Sequence, residues 1–137
     1  MTAVSATNPA DNATATVTLL AQPAAGTTYY VAPGGSDTNP GTLAAPFATL
    51  QHAATVAQAG DTVLARQGVY NALLTPPHSG NLAQGPITFA SYPGETATID
   101  GTGLAVPGGQ NGLITLNNAS YVIIEGFELR NYTPPRR

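Results

Sequence analysis

The stretch GGSDTNPGT, Gly34 to Thr42, is where this chain most resembles a chemical site. Its glycines could cradle a phosphate, and Asp37 and Asn39 could ligate calcium. A phosphate loop spaces its glycines differently from Gly35 and Gly41 and follows them with a lysine, and this chain contains no lysine. A calcium loop needs six or more oxygens, yet Pro40 follows Asn39 directly and no glutamate closes the loop. Turn chemistry accounts for the same residues. Asp37 and Asn39 are expected to bond nearby backbone, Pro40-Gly41 to reverse the chain, and Gly34-Gly35 to supply positive φ.

The other ionisable side chains are few. Glu125 and Glu128 flank Gly126 and alternate outward from Ile124, Phe127 and Leu129. Paired carboxylates can serve a hydrolase or hold calcium, but two glutamates on one face are also what a solvated surface carries. Asp61 and Asp100 adjoin glycines and read as turn formers. His52 falls away from the apolar stripe of a helix, and His78 follows Pro76-Pro77 in a loop. Neither has a second ligand at metal-binding spacing. Nucleophile elbows and dinucleotide fingerprints are absent. No catalytic, cofactor-binding or metal-binding residue is therefore expected here.

Composition narrows the class of protein. Of 137 residues only 8% are charged, while 15 are Gly and 12 are Pro. Long amphipathic helices need charged outer faces, so the chain reads as β-rich and loop-rich. The net charge of −3 and four arginines exclude a nucleic-acid surface, which needs many cations. Without cysteine there are no disulfides or thiolate metal sites. No apolar run approaches the ~18–20 residues of a membrane-spanning helix. Residues 1–26 are rich in Ala, Thr, Asn and Pro and read as a flexible leader or linker. They lack the basic segment and the apolar core of a signal peptide.

From residue 27 the pattern is structural. TTYYVAP, broken by Gly-Gly, reads as a short strand. Leu50, Ala53, Ala54 and Ala57 then form one helical face. The spacing predicts a single helix over about Thr49 to Gln58, with Thr49 as N-cap and Gly60 as its stop. From Asp61 onward, period two takes over in strands of three to five residues separated by Gly, Asn and Pro turns. Val63, Ala65 and Val69 share one side of the first alternating segment.

Val63 and Ile87 lie 24 residues apart, Ile87 and Ile114 lie 27 apart, and Ile99 and Ile124 lie 25 apart. Such a period fits an all-β solenoid whose coils stack. A β-sandwich would also show short strands at regular intervals. Two features favour the solenoid. Glycine corners leave the strands too short for hairpins, and Asp100-Gly101 and Asn111-Gly112 have a strand on one side only. Asn117 and Asn118 fall at a coil corner and are expected to stack or bond along the solenoid. Three Asn-x-Ser/Thr triplets, at Asn12, Asn118 and Asn131, are what an Asn/Thr-rich chain produces by chance.

The segment from YYVAPGGSDTNPGT through PFATLQ to GDTVLARQGVY resembles the N-terminal segment of right-handed parallel β-helix proteins of the pectin-lyase-like superfamily. It is similar above all to family-nine-type pectate and polysaccharide lyases and their uncharacterised relatives. PITFASYPGETATIDG and NNASYVIIEGFELRN resemble the first coils of that fold. The resemblance implies that residues 27–137 form the cap and first coils of a parallel β-helix, with the helix across its open end. It also implies β-elimination by a lysine base, on a proton that aspartate-held calcium acidifies. A chain without lysine does not carry that base. Other β-helix lyases use arginine, for which Arg66 and Arg130 are poorly placed.

The apolar segment Val122 to Leu129 is followed only by NYTPPRR, so no polar capping repeat closes the stack. Two readings follow. The first is the N-terminal portion of a longer, secreted, carbohydrate-active lyase. Its acidic polysaccharide and calcium would be bound by further coils, and this chain alone would be inactive. The second is a non-catalytic structural, adhesin or glycan-binding β-helix. If the chain were complete, self-association through the open last coil is expected, and Pro134-Pro135 would blunt that edge slightly.

Overall fold

A computed structural model describes residues 26–105 and 112–132. The segment read as a leader, Pro134-Pro135, and the triplets at Asn12 and Asn131 lie wholly or partly outside them. Strand β1 (Thr28–Val31) precedes helix α1 (Leu50–Val56). Six strands follow: β2 (Thr62–Ala65), β3 (Gly68–Tyr70), β4 (Ile87–Ser91), β5 (Ala97–Asp100), β6 (Val122–Glu125) and β7 (Glu128–Arg130). All pairing between these strands is parallel. One sheet runs β1-β2-β4-β6 and the other β3-β5-β7. A third face is marked by a parallel bridge between Leu74 and Ile114. Three coils thus stack as a right-handed parallel β-helix.

The helix forms as the sequence dictates, except at its end. The Thr49 hydroxyl accepts the His52 N–H at 3.2 Å, and Leu50, Ala53 and Ala54 are buried. The last helical turn closes at Ala57 rather than at Gly60. The cause is Asp61, whose carboxylate accepts the Gln58 N–H at 2.8 Å and pulls the chain into a turn. The small faces of Ala53, Ala54 and Ala57 let the helix sit directly on the stack. Gln51 fixes it sideways: its amide donates to Thr75 C=O and accepts Thr75 N–H, at 3.0 and 2.8 Å.

Inside the coils, Val31, Val63, Phe89, Ile87, Ile99 and Leu74 are fully buried. Each such side chain contributes roughly 1.5–3 kcal/mol by leaving water. Val63 and Ala65 face inward as expected, but Val69 does not; it is 49% exposed. The corner between β2 and β3 turns through Gly68 at φ +138, which shifts the alternation by one residue. Tyr70 takes the inward place.

The stacking register also departs from the even spacing seen in the sequence. Val63 lies over Phe89 and Phe89 over Ile124, so these coils are 26 and 35 residues long. Ile99 stacks between Tyr70 and Leu129, not on Ile124, and Ile114 belongs to the third face beside Leu74. Loops of unequal length between short strands conceal the true partners. Asn118 sits in an exposed bend at φ +62, a turn former rather than a rung of a ladder.

Candidate functional site

The Gly34 to Thr42 segment closes the end of a sheet. Asp37 accepts the Ala48 and Thr49 N–H groups at 2.9 and 3.0 Å and the Thr49 hydroxyl at 2.8 Å. Burial opposes its charge, but these donors outweigh that cost and its pKa is lowered. Asn39 donates to Pro46 C=O at 2.8 Å. Asp37 thus accepts from the backbone at the start of the helix, and Asn39 donates to the backbone just before it. Positive φ falls at Gly41 (+82) and not at Gly34-Gly35. Gly35 is required for a different reason: a Cβ there would collide with the carbonyls of Pro46 and Phe47. The loop then covers the free edge of β1, with Tyr30 N–H donating to Gly41 C=O and Phe47 N–H to Tyr30 C=O, at 2.8 and 2.9 Å.

A second polar cluster lies outside the first two coils. Arg66 grips Glu95 with two hydrogen bonds of 2.8 Å, and Gln67 N–H adds a third at 3.0 Å. The Arg66 hydrogen bond is the main reason that the Glu95 carboxyl is held at about 2, below the ordinary 4.5. The same hydrogen bond raises the Arg66 pKa. The guanidinium also lies 4.5 Å from the centre of the Tyr92 ring, a cation–π contact. Glu95 was not singled out by motif. The available signal was its 29-residue offset from Arg66, one coil away.

The third cluster is a column at the exit of the β3-β5-β7 sheet. Asn71 donates to Asp100 C=O, and the Asp100 carboxylate accepts from Thr102, Asn131 and Arg130. These bonds, the Thr102 hydroxyl first, draw its pKa well below the carboxylate range. Arg130 is thereby tied to Asp100 at 3.3 Å and lies 3.8 Å from Glu128. Glu128 also accepts the Thr98 hydroxyl at 2.8 Å, while Glu125 stands exposed at the end of β6. His52 packs edge-on against Phe47, and His78 bonds Thr55 C=O at 3.1 Å. Asp61 ties Thr27 and Gln58 together.

The structure therefore spreads the sequence candidates over separate corners and brings only Glu128, Arg130 and Asp100 together. Among the described residues, no three His, Asp or Glu side chains gather as a metal would require. A shallow cleft of about 150 Å³ between Thr49, Leu50, Val69 and Asn71 is small for a ligand pocket.

This architecture is a parallel β-helix capped at its N-terminal end, with side chains committed to holding corners. Residues 29–134 match the family described as Pel9A-like, right handed beta helix region, and the chain belongs to that family. It is 39% identical over 102 residues to the uncharacterized protein YwoF of Bacillus subtilis, covering 74% of this chain and 22% of that one. It is 31% identical over 115 residues to pectate lyase PEL9 of Emericella nidulans, covering 74% of this chain and 27% of that one. Among solved structures, a rhamnogalacturonan lyase matches at 32% identity and TM-score 0.60, over 76% of this chain and 28% of that one. The structure of XylC in complex with xylose matches at 42% identity and TM-score 0.52, over 54% and 12%. The chain spans about a quarter of the length of the curated relatives that it matches.

Proposed function

We propose that this chain is the cap and first coils of a secreted polysaccharide lyase that cleaves an acidic polysaccharide by calcium-assisted β-elimination. The cap seals the stack and sets its register, while coils outside these residues supply the base and the calcium ligands. One observation carries this reading: the family match spans residues 29–134, yet the chain has no lysine and its two described arginines are held in ion pairs.

Exchange of the cap tests it. Residues 27–132 are substituted for the matching stretch of the Emericella nidulans pectate lyase, and unsaturated uronate products are followed by absorbance on polygalacturonate with and without calcium. The exchanged enzyme is expected to keep calcium-dependent activity, and the 137-residue chain alone to have none. Product release by the chain alone would sink the proposal, as would a folded but inactive exchange. A non-catalytic glycan-binding or structural role is favoured by the same structural use of Asp37, Asp61, Glu95 and Asp100. It predicts that the full-length protein carrying this chain binds the polymer without cleaving it.

A further inference from the structure

We propose that the outer face of the sheet formed by β1, β2 and β4 binds an uncharged chain of pyranose sugars laid along the solenoid axis. This face takes no part in the lyase reading, and the proposal stands without it.

Register builds the face. Thr28 pairs with Thr62 and Thr62 with Thr88, so three hydroxyls stack on successive rungs. Neighbouring strands set them about 4.8 Å apart. Alternation turns them away from the buried Val31, Val63 and Phe89, and leaves Thr28 exposed and Thr62 and Thr88 half-buried. Other threonines spend their hydroxyls on the fold: Thr49 on Asp37, Thr98 on Glu128 and Thr102 on Asp100. Among the described residues, no side-chain hydrogen bond engages the hydroxyls of Thr28, Thr62 or Thr88. A second outward row runs beside them as Tyr30, Leu64 and Ala90. Its tyrosine leans across the Leu64 rung, and its ring centre comes within 6.2 Å of that of Tyr92.

A line of uncommitted hydroxyls beside aromatic and aliphatic surface matches the chemistry of a pyranose ring. Such a ring carries hydroxyls at its rim and C–H bonds on its faces, and the C–H face packs on an aromatic ring. Repetition points to a polymer, because the same hydroxyl recurs at each rung and only a repeating ligand uses every one. Charge decides which polymer. Neither row contains an ionised side chain. The adjoining cation, Arg66, lies over Tyr92 and is committed to Glu95 through two hydrogen bonds of 2.8 Å. A polyuronate finds no free cation here, whereas a neutral glycan needs none.

Affinity electrophoresis tests this with the 137-residue chain in gels that hold arabinoxylan, hydroxyethylcellulose, galactomannan or polygalacturonate. At least one neutral polymer is expected to retard the chain, and polygalacturonate is not. Titration calorimetry with the retarding polymer should give the same affinity at low and high salt, as an uncharged ligand requires. The double variant Thr62→Val, Thr88→Val keeps side-chain shape and removes two hydroxyls. It should melt as the parent does by circular dichroism and bind on the order of ten-fold more weakly. Thr96→Val, at an exposed site beyond the sheet, should bind unchanged. Tyr30→Ala should also weaken binding, and because Tyr30 packs near Tyr92, the valine pair keeps the test independent of any loss of folding. Passage of the chain unretarded through all three neutral polymers would overturn the proposal. So would full affinity in the valine pair, an equal loss in Thr96→Val, or binding that prefers polygalacturonate and falls with salt.

Discussion

Glu95 shows how single side chains hold the coils in register. It takes three donors from the coil before it, and its carboxyl titrates at about 2 instead of 4.5. Between those values the folded chain binds fewer protons than the unfolded one. The stability contributed by Glu95 is therefore complete above pH 4.5 and is lost as pH falls toward 2. Glu95→Gln should lower stability at pH 7 and flatten the acid-unfolding curve across that window, as followed by circular dichroism. Asp37 acts likewise at the cap. Asp37→Ala leaves the Ala48 and Thr49 N–H groups without their acceptor and should cost about 1–3 kcal/mol in urea denaturation.

At the scale of elements, the helix acts as a lid whose fit depends on alanine. Ala53 is completely buried against the strands below. Ala53→Leu should lift the helix and destabilise the fold by about 1–3 kcal/mol, although leucine is itself a good helix former. Gln51→Ala should loosen the loop at Thr75 by about 1 kcal/mol and raise amide exchange there. A helix that merely decorated the surface would register neither change.

For the whole molecule, stability resides in one column of stacked side chains. Phe89 is fully buried between Val63 and Ile124 in neighbouring coils. Phe89→Ala should cost about 3–5 kcal/mol, and calorimetry should show the coils above and below unfolding together. Coils contact only their neighbours, so the loss spreads outward from the damaged rung. The cap seals the first rung, and by the functional reading above it prepares a platform on which later coils do chemistry.

The solenoid was legible in the resemblance of its segments to parallel β-helix proteins. The sequence alone determined the short period-two strands, the capping helix with its Thr49 N-cap, and the turn role of Asp37 and Asn39. These follow from local rules of period, capping and turn formation, which act over a few residues. Tertiary structure decided which residues stack. Ile99 met Leu129 rather than Ile124, Val69 turned outward at the Gly68 corner, and Glu95 met Arg66. Those outcomes depend on loops of unequal length, whose paths are set by packing across coils and leave no fixed period in the chain. The segment from Gly34 to Thr42 needed both. Its residues marked it as a turn, and only the fold showed that the turn seals the edge of β1.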